Sequence, residues 1–213
     1  DAALKIAPRP MEILNYAARL GLKMTPETSA TYEGVTVENM SASGYIKVGT
    51  SEFSAILDVA RVGPTYIPGH AHADTLSFEL ACCNQRVFVN SGISTYEIGT
   101  TRQFERSTKA HNTVVVDDAD SSHVWAAFRV AKRAVPIGLE IQKSLNCVTV
   151  QCGHNGYQTT RKKRLHHRTW QIRPSQMVIR DSVIGLHHSA VAMFYIHPDV
   201  LLKRLTSSAF VLE

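Results

Sequence analysis

The sequence predicts a mainly β protein, a two-layer antiparallel β-sandwich with one short helix near its N-terminus. Three observations carry that prediction. Apolar residues recur at convincing helical spacing once, over Pro10 to Gly21. From Tyr45 onward the chain breaks into short runs dominated by Val, Ile, Phe and Thr. Gly, Asn, Asp and Ser punctuate those runs, which is the pattern of strands joined by turns rather than of strands alternating with helices.

The helix comes first. Pro10 suits an opening helical position, where its missing N–H costs nothing. Met11, Leu14, Ala17 and Ala18 follow at helical spacing, and Gly21 can serve as the stop. Tyr16 reads as core packing on that helix. The polar stretch from Thr25 to Thr31 reads as a linker. The strand-like runs are Tyr45–Val48, Phe53–Val59, Leu76–Cys82, Arg86–Asn90, Thr113–Asp117, Phe128–Ala134, Cys147–Cys152, Thr169–Ile172 and Met177–Asp181.

A chain of 213 residues, 44% of them hydrophobic, suits one domain with a sizeable core. No run approaches the roughly 18 apolar residues of a membrane helix, so no membrane partner is expected. The chain does not begin with Met and Asp1 to Pro10 has no signal-peptide pattern, so its start reads as an internal cut. A net charge of +5 with ten histidines suits an acidic partner. The basic run Arg161-Lys162-Lys163-Arg164 has no interleaved aromatics and reads as a solvated turn, so nucleic acid is not expected. Cys82 and Cys83 are neighbours on an apolar strand and should point to opposite faces. With Cys147 and Cys152 they form no C-x-x-C, and buried free thiols are expected, a Cys147–Cys152 pair being left open.

The stretch that carries chemistry is Gly69-His70-Ala71-His72-Ala73-Asp74, leading into Thr75-Leu76-Ser77-Phe78-Glu79-Leu80. On a strand, His70, His72, Asp74, Leu76, Phe78 and Leu80 share a face. Two imidazoles and a carboxylate then continue a line of apolar residues, and such groups are costly to bury unless paired or ligated. Two histidines at i, i+2 can converge on a metal, or one can ligate while the other moves a proton. A cupin-type metal site, and with it an oxygenase or isomerase, is disfavoured because Glu79 lies too far from His72 and on the other face.

Further motifs follow in order. Val89-Asn90-Ser91-Gly92 leads to Thr95-Tyr96-Glu97, and Arg102 precedes Arg106-Ser107-Thr108-Lys109-Ala110-His111-Asn112-Thr113-Val114. Trp125-Ala126-Ala127-Phe128-Arg129-Val130, His154-Asn155-Gly156-Tyr157, His167-Arg168, Ile179-Arg180-Asp181 and His197-Pro198 continue the series. From Gly44 to Val200 this ordered set resembles the C-terminal β-sheet domain of heparinase II/III-like polysaccharide lyases. The family motifs run H-x-H-x-D-x-L-S-F, V-D-S-G, R-S-T-x-A-H-N-T-V, W-x-x-F-R-V and H-x-G-Y.

That resemblance implies an α/α toroid preceding the sandwich. Residues 1–24 would be the end of the toroid domain or a linker, and 25–213 the sandwich domain, truncated at both ends. It implies a carbon–oxygen lyase that cleaves uronate polysaccharide, glycosaminoglycan-like or alginate-like, by β-elimination, in the periplasm or outside a bacterial cell. His70 takes the catalytic position, while His72, Asn90 and His111 take the ligand positions of a structural zinc. Asn90 stands where the family has Asp, and a neutral amide is a poor zinc ligand beside a carboxylate, so zinc binding is expected to be weak. Arg102 and Arg106 are candidates to bind a sugar carboxylate. Glu97 and Trp125 read as fold determinants, and His154 and His167 as surface or core residues. The toroid would supply the catalytic Tyr and the group facing the substrate carboxylate, so this chain alone is expected to be inactive. The alternative is a non-catalytic carbohydrate-binding or assembly module on the same fold.

Overall fold

The structure is a computed structural model that describes residues 8–23, 30–32, 34–160 and 163–213. Helix α1 spans Pro10–Arg19, and the Glu12 carboxylate accepts from the Arg9 N–H at 2.7 Å, closing the first turn. Its large apolar side chains are exposed. Met11 is 62% and Tyr16 56% exposed, so the expected core role of Tyr16 is corrected.

Six strands then form an antiparallel sheet in chain order: β1 (Ala30–Tyr32), β2 (Val35–Met40), β3 (Tyr45–Gly49), β4 (Phe53–Asp58), β5 (Phe78–Cys82) and β6 (Gln85–Phe88). Cys83 and Asn84 join β5 to β6 with φ of 48° and 65°, both left-handed. Two such residues make a turn whose twist matches the flanking strands. Cys83 therefore sits exposed in a turn and not on the strand, which corrects its sequence placement. All four cysteines are free.

After β6 the chain forms α2 (Thr100–Arg106), a short 3-10 turn at Thr108–Ala110, β7 (Val114–Val116) and a two-strand ribbon of β8 (Val124–Trp125) with β9 (Arg129–Val130). A second antiparallel sheet follows, ordered β10 (Pro136–Ser144), β11 (Cys147–His154), β12 (Leu165–Arg173) and β13 (Gln176–Ile184). Then β14 (Ala190–Ala192) pairs with β7, and β15 (Leu202–Arg204) pairs with β16 (Phe210–Leu212). Among the described residues no helix is long and apolar enough to cross a membrane.

The predicted antiparallel, mainly β fold is what the chain adopts. Strand alternation builds its core. Ile46 and Val48 of β3, Ala55 and Leu57 of β4 and Val35 and Val37 of β2 face Val148 and Val150 of β11 and Trp170 and Ile172 of β12. Each large side chain buried there contributes roughly 1.5–3 kcal/mol relative to exposure. Along β12 the inward face changes character, from Ile172 and Trp170 to Arg168 and His166, all buried. That polar end lies beneath the functional loop.

Three differences from the sequence reading have physical causes. The second helix, α2, shows no apolar period because its buried residues are Arg102 and Arg106. Strand β10 carries Pro136 and a left-handed Gly138 at a register shift, features that sheets tolerate at an edge. The basic run is not simply a solvated turn. Arg161 and Lys162 lie outside the described residues, but Arg164 is buried, 2.5 Å from the Asp117 carboxylate, and donates to the Leu186 carbonyl at 2.8 Å.

Candidate functional site

The His-rich segment is not a strand. It lies in residues 59–77, the excursion between β4 and β5, and β5 begins only at Phe78. Leu76 has a φ of 64°, which no continuous strand accommodates. Side chains nevertheless hold the segment as an edge partner would. Arg102 donates to the Gly69 carbonyl at 3.2 Å, and Arg106 to the Ala71 carbonyl at 3.0 Å. Ser121 donates to the Ala73 carbonyl at 3.2 Å, and Thr113 to the Thr75 carbonyl at 3.1 Å. The Ala73 N–H donates to the Arg106 carbonyl at 2.9 Å. Period-two geometry thus survives without a ladder. Ala71 and Ala73 are buried, while His70, His72 and Asp74 line one cleft of about 280 Å³ together with Tyr45 and Asp58.

Arg102 and Arg106, the candidates for a sugar carboxylate, support the loop from beneath. Both residues are 0% exposed; Arg106 also donates to the Arg129 carbonyl at 3.3 Å, while Arg102 Nε and Nη1 and Arg106 Nη1 make no hydrogen bond among the described residues.

His72 and His111 come together, their ring centroids 5.2 Å apart. Asp74 joins them, and one ligand atom from each of the three lies within 4.8 Å of the others. His111 is 0% exposed, and neither of its ring nitrogens makes a hydrogen bond of normal geometry. Burial holds His111 down to about 4, the Glu105 backbone opposing. Burial, then the neighbouring His111, lowers His72 to about 4. Burial raises Asp74, with His72 opposing, and burial and Asp74 together raise Asp58. Asp58, burial and Asp74 in turn push the Tyr45 hydroxyl up to about 12.

A buried imidazole with both nitrogens bare is an expensive arrangement unless something ligates it. Two neutral imidazoles and a carboxylate form a donor set that fits zinc. Asn90 lies along the same small cavity as His111 and Asp74, and its side-chain oxygen accepts from the Gly92 N–H at 2.9 Å.

His70 stands apart from this cluster, exposed on the cleft. The Tyr96 hydroxyl lies 3.4 Å from its Nδ1, and the two rings meet edge to face at 5.5 Å. Tyr96 stacks on Phe128, with Arg102 positioned 5.2 Å from the Tyr96 ring centre. Sequence reasoning quoted Tyr96 within a motif but gave it no role. The signal was there in the ordered motif, but its 26-residue separation from His70 hid the contact.

A second polar cluster supports the first from below. His154 Nε2 lies 3.1 Å from His166 Nδ1, and His166 Nε2 lies 2.7 Å from the Asp181 carboxylate. Arg168 pairs with both Asp181 oxygens at 2.7 and 2.9 Å. Its remaining nitrogen donates to the carbonyls of Leu76 and Asn112 at 2.8 and 2.6 Å. Arg168 thus ties the end of the His loop to the residue following His111.

Fold and site together define a β-sandwich domain with a His–Asp–His cluster beneath an exposed histidine. The chain matches the heparinase II/III-like C-terminal family over residues 34–212, and it belongs to that family. It is similar to heparan sulfate lyase HepC from Pedobacter heparinus, at 16% identity and a TM-score of 0.49, covering 86% of this chain and 26% of that one. It is also similar to the heparinase III-BT4657 gene product, at 20% identity and a TM-score of 0.48, covering 82% of this chain and 25% of that one. The chain therefore spans about a quarter of the length of those proteins. No curated protein matches it.

Proposed function

We propose that this chain is the sandwich domain of a polysaccharide lyase that cleaves a uronate polymer by β-elimination, with His70 as its proton-transfer group. Family membership supports the reaction class. The observation that carries the assignment of His70 is its exposure on the cleft, beside the Tyr96 hydroxyl and above the buried cluster. A carboxylate at C6 of the uronate acidifies the C5 proton once its charge is neutralised. A base then removes that proton, the C4–O bond breaks with the electron pair going to oxygen, and an acid protonates the departing oxygen. The products are an unsaturated uronate and a new chain end.

An exposed imidazole on the cleft can reach a substrate proton. In this reading Arg102 and Arg106 position His70 by fixing the backbone on either side of it. The group that neutralises the substrate carboxylate, and the partner acid or base, come from an α/α toroid elsewhere in the same protein, which also sets substrate choice. The whole protein works in the bacterial periplasm or outside the cell, where such polymers are met.

The test is an absorbance assay for unsaturated uronate with the intact protein, across glycosaminoglycan and alginate panels. The intact protein should produce unsaturated uronate, His70→Ala should lower the rate by about 10²–10⁴-fold at unchanged melting temperature, and the 213-residue chain alone should be inactive. An inactive intact protein that still binds the polymers would favour a non-catalytic binding module instead.

A further inference from the structure

The position that the family motif fills with Asp is Asn90 here, yet half-buried His72 and buried His111 still face a carboxylate. We propose that Asp74, rather than Asn90, supplies the anionic ligand of a zinc site completed by His72 and His111. The proposal rests on the family reading for the kind of metal and departs from it in the ligand.

Geometry, hydrogen bonding and charge agree on this assignment. One atom each of His72, Asp74 and His111 already lies within 4.8 Å of the others. Bond lengths of about 2.0–2.2 Å place ligand atoms around a tetrahedral zinc roughly 3.3 Å apart, so closure takes a small side-chain adjustment. His111 is wholly buried and neither ring nitrogen makes a hydrogen bond of normal geometry, which leaves a nitrogen available to ligate a metal. Asn90 is otherwise engaged, since its side-chain oxygen closes its own turn by accepting from the Gly92 N–H.

Charge decides between the two candidates. Arg102 and Arg106 lie within electrostatic reach of His72 and oppose any cation placed there. Two neutral imidazoles and a neutral amide would leave a doubly charged ion uncompensated beside two guanidiniums. Asp74 supplies the missing negative charge from within the same loop. The loss of a carboxylate at residue 90 is thereby offset within the loop that already carries His72.

The test is zinc binding to the purified chain, by metal content and by titration after chelator treatment. The native chain should hold one equivalent, and zinc should raise its melting temperature. Outer partners of a metal site typically cost about 10–100-fold in affinity, so loss of a ligand in Asp74→Asn should weaken zinc at least about 100-fold and abolish the zinc-dependent rise in melting temperature. Asn90→Ala should leave affinity within a few-fold. Zinc held normally by Asp74→Asn but lost in Asn90→Ala would overturn the proposal while leaving a metal site in place. No zinc in the native chain would overturn both. If Asp74→Asn does not fold, an anomalous zinc map of native crystals decides. Density bonded to the Asp74 carboxylate supports the proposal, and density on the Asn90 oxygen with Asp74 out of reach refutes it. None of these readouts depends on lyase activity, so failure of the lyase reading remains separately visible.

Discussion

Arg168→Met should be among the most damaging single substitutions in the sandwich. Arg168 is fully buried and donates to both Asp181 oxygens and to the carbonyls of Leu76 and Asn112. Methionine fills much of the space but restores none of those donors. Breaking a buried pair by removing one partner costs about 3–5 kcal/mol, because the other charge is left uncompensated. The Asp181 side chain is 19% exposed, so water relieves part of that cost and the lower end, about 3 kcal/mol, applies. Two carbonyls losing their donor add about 2 kcal/mol. The expected total of about 5 kcal/mol is comparable to the whole stability of many domains. With an m-value of about 2 kcal/mol/M, the urea midpoint should fall by about 2.5 M. Fluorescence of Trp170, which lies next to Arg168 on the inward face of β12, reports the transition. Arg168→Met/Asp181→Leu should recover about 1 kcal/mol, since apolar replacement of both partners removes the stranded charge but takes from buried His166 its Asp181 partner. A single-substitution cost below about 1.5 kcal/mol, or a double variant no better than the single, would refute the reasoning.

Two further outcomes follow from the same structure. Burial lowers His154 and His166 from the ordinary value of 6.5, Asp181 opposing at His166. The unfolded chain therefore binds more protons below about pH 6.5, and stability should fall as pH drops from 7 to 5, by up to about 2.7 kcal/mol per pH unit for the two groups. Asp181 acts in a lower window. Burial raises it, but hydrogen bonds and charge from His166 and Arg168 outweigh this and hold it at about 2, so its contribution is present above the ordinary 3.8 and is lost as pH falls toward 2. Urea midpoints at pH 7, 6 and 5, for the native chain and for His154→Gln, check the upper window; a flat native profile would contradict it. Gly44→Ala should cost about 2–4 kcal/mol by thermal melting. Its φ is +79°, and an added Cβ would lie 2.5 Å from the Ala60 Cα, a backbone atom that cannot rotate away. A loss under about 1 kcal/mol would show that the β3 turn relaxes freely.

The sandwich was legible because its core strands alternate cleanly. The burial of β3 and of β12 follows the period of two that their sequences show. Helix α2 was not legible, since a helix whose buried face is two arginines has no hydrophobic period. The common side of His70, His72 and Asp74 came from assuming a strand. The strand is absent, but the alternation remains because Arg102, Arg106, Ser121 and Thr113 receive the intervening carbonyls. The convergence of His72 with His111 was expected from motif order, and the coordinates bring the two rings together. Asp74 shares its side with the two histidines in the sequence pattern, and one of its oxygens lies within 4.8 Å of a nitrogen of His72 and of His111. The hold of Arg102 and Arg106 on the loop was not legible, because their partners there are backbone carbonyls, which no motif spells out.

The excursion 59–77 leaves and rejoins the first sheet at paired positions, Leu57 opposite Phe78, with Asp58 N–H donating to the Ser77 carbonyl at its neck. Such a neck uncouples the outline of the cleft from the frame beneath it. Residues can be gained or lost within the excursion without sliding β4 against β5, because register is fixed where the two strands meet and not along the path between them. The anchors holding the excursion come from α2, from the segments around Thr113 and Ser121 and from β12, so each can change alone and tilt one part of the loop. A lineage of such domains can therefore remodel the wall of its cleft by small, separate steps, while the two sheets keep a constant frame.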